Sequence, residues 1–109
     1  MLATHMSLFR WPRTLAIAGL AALLFLAGCQ SAPVQEMSDA RQAISVANKA
    51  GAAEHAPADF NAATDYMTTA EGYIRQRKYK MARGEAIKAK ASALEALQAT
   101  ESSQTDDAD

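Results

Sequence analysis

From position 37 onward, apolar residues recur at spacings of three and four, the interval that lines up one face of a 3.6-residue helix. Met37, Ala40, Ile44, Ala47 and Gly51 make the first stripe; Phe60, Ala63, Met67, Ala70 and Ile74 make the second. Tyr79, Ala82, Ala86, Ala89, Ala93 and Ala96 make the third, flanked by Ile87, Leu94 and Leu97. The pattern predicts helices over roughly 34–51, 57–76 and 79–101. It describes an all-α fold, a short three-helix arrangement with a C-terminal helical hairpin.

The punctuation agrees with those boundaries. Pro33 and Pro57 stand where a first helical turn tolerates proline, and Gly51 with the following "AAEHA" marks a break. The second break, at Arg77-Lys78, has neither glycine nor proline. Periodicity alone therefore also fits one long rod. Gly72 and Gly84 each weaken a helix interior by about 1 kcal/mol relative to alanine. If the chain turns near residue 78, two readings stay open: the two lie opposite each other and let two backbones close, or they are simply tolerated weak points. The last eight residues, "SSQTDDAD", carry no apolar period and are expected to form a disordered acidic tail over 102–109.

The hydrophobic pattern changes character before residue 30. Residues 1–13 hold Arg10 and Arg13 and no acid, and "TLAIAGLAALLFLA" at 14–27 holds no charge. A basic segment, a short apolar run and then small residues is the layout of a secretory signal peptide, with Met1 or Met6 as its start. The run is shorter than the roughly 20 residues that a permanent membrane span requires. Cys29, the one cysteine of the chain, follows directly.

"LAGC", Leu26-Ala27-Gly28-Cys29, resembles the lipobox of bacterial lipoproteins. That resemblance implies recognition of Leu26, Ala27 and Gly28 by a signal peptidase and diacylglycerol on the Cys29 sulfur. It further implies cleavage before Cys29 and an N-acyl chain such as palmitate on the new amino terminus. Two or more acyl chains give stable anchoring. The expected organisation is a signal peptide at 1–28, a lipidated tether at 29–33, and a helical domain at 34–101 ahead of the tail. Gln30 stands where an aspartate, by the same resemblance, retains a lipoprotein at the inner membrane. The expected location is the cell envelope, lipid-anchored in the periplasmic leaflet of an outer membrane.

Composition narrows the function. Residues 29–109 contain nine Lys/Arg and twelve Asp/Glu, so nothing draws this chain toward nucleic acid. Twenty of these residues are alanine, which favours helices and leaves few large side chains for a core. One cysteine and two histidines cannot build a structural zinc site, and neither a metal nor any other cofactor is expected beyond the lipid on Cys29. Asp59 with Asp65, or Glu71 with Glu85, are carboxylates at surface-type positions without a converging nucleophile or base. His55 falls in the first break and reads as a loop residue. No enzymatic activity and no small-molecule substrate are expected.

Two features point to binding. Seven of the nine basic residues fall within 75–90: Arg75, Arg77, Lys78, Lys80, Arg83, Lys88 and Lys90. They form a candidate patch for an anionic partner such as lipid headgroups or peptidoglycan, or else a solvated face whose cations favour a helix C-terminus. Tyr66 and Tyr73, one heptad apart, are core residues or the wall of a groove for a partner helix.

"YIRQRKYKMARGEAIKAKA", with Tyr66 and Ala70 just before it, resembles the tetratricopeptide helix-turn-helix, with Tyr66, Ala70, Tyr73, Tyr79, Ala82 and Ala89 at the aromatic and small positions of that repeat. It departs from that repeat at Arg77, where the repeat has a turn glycine, at Ala86, which fills an aromatic site, and in lacking the closing proline, and one unit alone does not make a stack. It implies a hairpin of similar packing and favours the turn over the rod. The wider stretch from Ala56 to Ala96 is similar to small proteobacterial lipoproteins with an alanine-rich helical domain of unknown function. This resemblance implies fold and location, and no activity. The expected role is a membrane-anchored, non-enzymatic module that binds an envelope protein or itself, with direct binding of peptidoglycan or anionic lipid as the alternative.

Overall fold

A computed structural model of the chain describes residues 17, 19 and 31–109. Within the unit Ser31–Asp109 the order is α1 (Val34–Lys49), α2 (Ala52–His55), α3 (Pro57–Arg75) and α4 (Tyr79–Ala108). Among the described residues there is no strand, so the fold is all-α as the periodicity indicates. The three long helices lie where the stripes place them. One short helix, α2, occupies the first break and carries His55.

The ends of the helices follow from local chemistry. Gly51 closes α1 with φ at 92°, a left-handed conformation that suits a residue without Cβ, and its N–H donates to the Asn48 carbonyl at 3.0 Å. The Gly51 carbonyl then accepts from the N–H groups of Glu54 and His55, which starts α2. Pro57 opens α3 at a position where its missing N–H costs no hydrogen bond.

α4 packs against both α1 and α3, while the contact between α1 and α3 is much slighter. α3 and α4 form the expected antiparallel hairpin. α1 runs parallel to α4: Arg83 Nε donates to Glu36 Oε1 at 2.8 Å, Lys90 meets Asp39 at 3.4 Å, and Gln104 Nε2 donates to the Ala50 carbonyl at 3.1 Å. Three polar contacts in ascending order along both helices fix that register.

The core is almost entirely alanine. Ala40, Ala70, Ala86 and Ala89 join Met37 and Met67 in one layer, Ala43, Ala63 and Ala93 make a second, and Ala47, Ala52, Ala56 and Ala96 a third. Ile44, Ile74, Tyr66, Phe60 and Leu97 close the edges of these layers, half-buried. Alanine at the contacts lets helix axes approach toward the short end of the roughly 8–10 Å range. Val46, Met81, Ile87 and Leu94 stay outside. The flanking residues Ile87 and Leu94 of the third stripe are thus surface residues, because the seam is too narrow to take them.

One expectation is corrected. The segment 102–109, expected to be disordered, is helical as far as Ala108. Thr100 is fully buried with its hydroxyl donating to the Ala96 carbonyl, Ser103 is half-buried, and Gln104 is tied to α1, so α4 propagates past its last apolar residue. Pro33, the last residue of the segment read as a tether, is fully buried, and its carbonyl accepts from the Met37 N–H at 3.0 Å. Of the two readings of Gly72 and Gly84, the structure favours tolerated weak points: a Cβ at Gly84 would meet nothing within 4 Å, and one at Gly72 only an Arg75 nitrogen at 3.8 Å.

Candidate functional site

The turn between α3 and α4 is built without glycine. The Lys78 N–H donates to the Tyr73 carbonyl at 2.9 Å and the Arg77 N–H to the Ile74 carbonyl at 3.0 Å, a Schellman arrangement whose left-handed position falls on Arg77, with φ at 58°. This turn excludes the single rod. It also presents Arg75, Gln76, Arg77, Lys78 and Lys80 together as exposed residues at the hairpin tip.

The seven basic residues of 75–90 divide into two sets. Arg83 pairs with Glu36, Lys88 with Glu85 at 3.0 Å, and Lys90 with Asp39, so these three hold helices or neighbouring turns together. Glu36 is held below its ordinary carboxylate range by its own backbone N–H and by the hydrogen bond from Arg83. The hydrogen bond and charge of Glu85 push the Lys88 ammonium up, with smaller contributions from Tyr66 and Tyr73 opposing its desolvation. Arg75, Arg77, Lys78 and Lys80 make no ion pair among the described residues.

The tip adjoins the entry of the folded unit. Ala32, Pro33, Val34, Met37 and Arg41 line a cleft of about 180 Å³ together with Ile74, one residue before Arg75. The point where the chain enters the bundle and the basic tip therefore share one end. At the far end of α4 lie the exposed acids Glu101, Asp106, Asp107 and Asp109. Cys29, with Leu26, Ala27 and Gly28 before it, lies outside the described residues.

Apolar surface appears in two other places. Because α1 and α3 splay on α4, an open cleft of about 450 Å³ runs between them, floored by Ile44, Phe60 and Met67 and crossed by the Arg41–Glu71 pair at 3.5 Å. Where α1 meets α4, Val46 (44% exposed) and Leu94 (47%) line a smaller cleft of about 270 Å³, and Ile87 (55%), seven residues before Leu94, lies on the same side of α4. Tyr66 lines none of these clefts. It packs on the first alanine layer, and the Lys88 ammonium sits 5.6 Å above its ring centre. Tyr73 is half-buried on the same side of α3.

The carboxylates do not converge. Glu71 is engaged by Arg41 and Glu85 by Lys88, and Asp65 is exposed. Among the described residues no group of three or more His, Cys, Asp or Glu side chains gathers as a metal site, and no helix is long and apolar enough to cross a membrane.

The fold and its surfaces define an alanine-cored helical module with one basic end. The chain belongs to the family described as a domain of unknown function (DUF4398), whose pattern matches residues 35–109. That span includes the α4 segment beyond residue 101, in keeping with its being part of the folded unit. No curated protein and no solved structure matches the chain.

Proposed function

We infer that this chain is a non-enzymatic envelope lipoprotein, held by lipid on Cys29, whose helical domain binds another envelope protein or a second copy of itself. The anchor reading rests on the order of the basic segment, apolar run and "LAGC" box in the sequence. The binding reading is carried by one observation: alanine fills the seams while Val46, Ile87 and Leu94 form an apolar row on the outside. Apolar side chains left on the surface of so thin a bundle are available to a partner.

Metabolic labelling with a palmitate analogue tests the anchor: the wild type should be marked and Cys29→Ser should not, and labelling of both overturns it. A photo-crosslinking residue at Ile87 in native membranes tests the binding. A defined protein product that disappears with Leu94→Glu supports the reading. A chain that stays monomeric and captures no protein counts against it.

A second reading, direct binding of an anionic envelope component, is favoured by the four unpaired basic residues at the hairpin tip.

A further inference from the structure

We propose that Arg75, Arg77, Lys78 and Lys80 form a foot that engages anionic phospholipid headgroups of the same bilayer that holds Cys29, so that the bundle stands with α4 pointing away from the membrane. The proposal rests on the anchored reading above, and it follows from where the chain enters the bundle.

Four residues separate Cys29 from Pro33, a reach of roughly 14 Å when fully extended. Pro33 is fully buried and shares a cleft with Ile74, so the lipid attachment point is confined to the end of the bundle that carries the tip. Arg75 to Lys80 begin one residue later, on a turn whose backbone is fixed by two hydrogen bonds. A short tether thus places exposed cations at headgroup level, where attraction is effective only within a Debye length of about 8 Å at physiological salt. A polymer farther from the bilayer lies outside that range.

The charges that do not take part agree with this orientation. Arg83 and Lys90 are committed to α1 through Glu36 and Asp39, and Lys88 to Glu85. Apart from Glu85, which Lys88 engages, the acids of α4 are Glu95 and then the cluster from Glu101 onward, which starts about 32 Å along the helix from Lys80 at 1.5 Å per residue. An anionic surface attracts one end of the module and repels the other, so the charge pattern opposes tumbling on the tether.

The test uses the acylated full chain in vesicles of phosphatidylcholine with or without phosphatidylglycerol, containing a headgroup-attached quencher. A fluorophore on Gln76→Cys should be quenched more strongly in the anionic than in the neutral vesicles, where the tether alone holds it near the surface, and that excess is the readout; one on Asp107→Cys should show none. Quenching should be relieved near 1 M salt, where the Debye length falls to about 3 Å. It should also be lost with Arg77→Glu/Lys78→Glu/Lys80→Glu, and with the milder Arg75→Gln/Lys80→Gln if the first variant lacks helical circular dichroism. Equal quenching in neutral vesicles, or quenching indifferent to salt, overturns the proposal.

Unacylated Cys29→Ser chain is floated on the same vesicles, where charge reversal should lower partitioning at least about tenfold. This arm decides the foot even if palmitate labelling shows that Cys29 carries no lipid. Tip-dependent retention on peptidoglycan sacculi, without retention on phosphatidylglycerol vesicles, also overturns the proposal and assigns the tip to the polymer.

Discussion

The backbone N–H of Lys78 reaches back to the carbonyl of Tyr73 at 2.9 Å across a turn whose left-handed residue is an arginine. A side chain in that conformation costs about 1–2 kcal/mol, and glycine relieves it at an entropic cost of about 0.5–1 kcal/mol. Arg77→Gly is therefore expected to stabilise the fold by about 0.5–1 kcal/mol, read as a higher urea midpoint at unchanged slope. The same change removes one charge from the tip, so vesicle binding should fall while stability rises. Movement of both in the same direction would mean that the Arg77 side chain supports the fold.

Alanine at Gly84 or at Gly72 should stabilise α4 or α3 by up to about 1 kcal/mol each, since both sites are helical and a new Cβ meets no contact tighter than 3.8 Å. Equilibrium unfolding of the two single variants checks this. A loss at either position would mean that the helices approach more closely there than the structure shows.

Core substitutions should respond in opposite ways to size. Ala89 is fully buried in the layer with Ala40 and Ala70, and Ala89→Leu forces helices apart at a cost of about 1–3 kcal/mol. Met67→Ala falls in a class that costs about 2–5 kcal/mol, and the low end is expected because Met67 also floors the open cleft, where water fills the space left. A stabilising Ala89→Leu would show that the seam has spare volume.

Stability should decline at both pH extremes for identifiable reasons. Glu36 is lowered from 4.5, so its contribution is present above that value and is lost as pH falls through its depressed folded value. Lys88 is raised from 10.5, so its contribution is present below that value and is lost as pH rises through its elevated folded value. Melting temperature measured against pH should show a shallower acid limb in Glu36→Gln and a shallower alkaline limb in Lys88→Met. Unchanged limbs would remove these two groups from the linkage.

Gln104→Ala should loosen only the far end of α4. Amide exchange over residues 102–108 is expected to quicken while exchange around Ala86 and Ala89 stays as it was, because the contact removed is the tie to Ala50. Slow exchange over 102–108 in the variant would credit the local Ser and Thr hydrogen bonds instead.

The helices were legible because alanine and the larger apolar residues alike follow the 3.6 period, and Ala40, Ala63, Ala86 and Ala93 are buried where that period puts them. The extension of α4 was not, since nothing in "SSQTDDAD" is apolar and its anchor is Gln104, held by a carbonyl 54 residues earlier. The basic run was visible as a run, but its division was hidden. Glu36 and Arg83 are 47 residues apart and Asp39 and Lys90 are 51 apart, separations at which no spacing rule shows a pair. The turn was suggested only by resemblance, because the residue that makes it lacks the usual signal.

An interior of alanine also has a thermal consequence. Alanine has no rotamers to freeze, so folding forfeits little side-chain entropy, and it hides little apolar area from water in return. The heat-capacity increment of unfolding scales with that area, and a small increment flattens the dependence of stability on temperature. A bundle sealed with methyl groups should melt gradually, over a broad range, and should lose little on cooling.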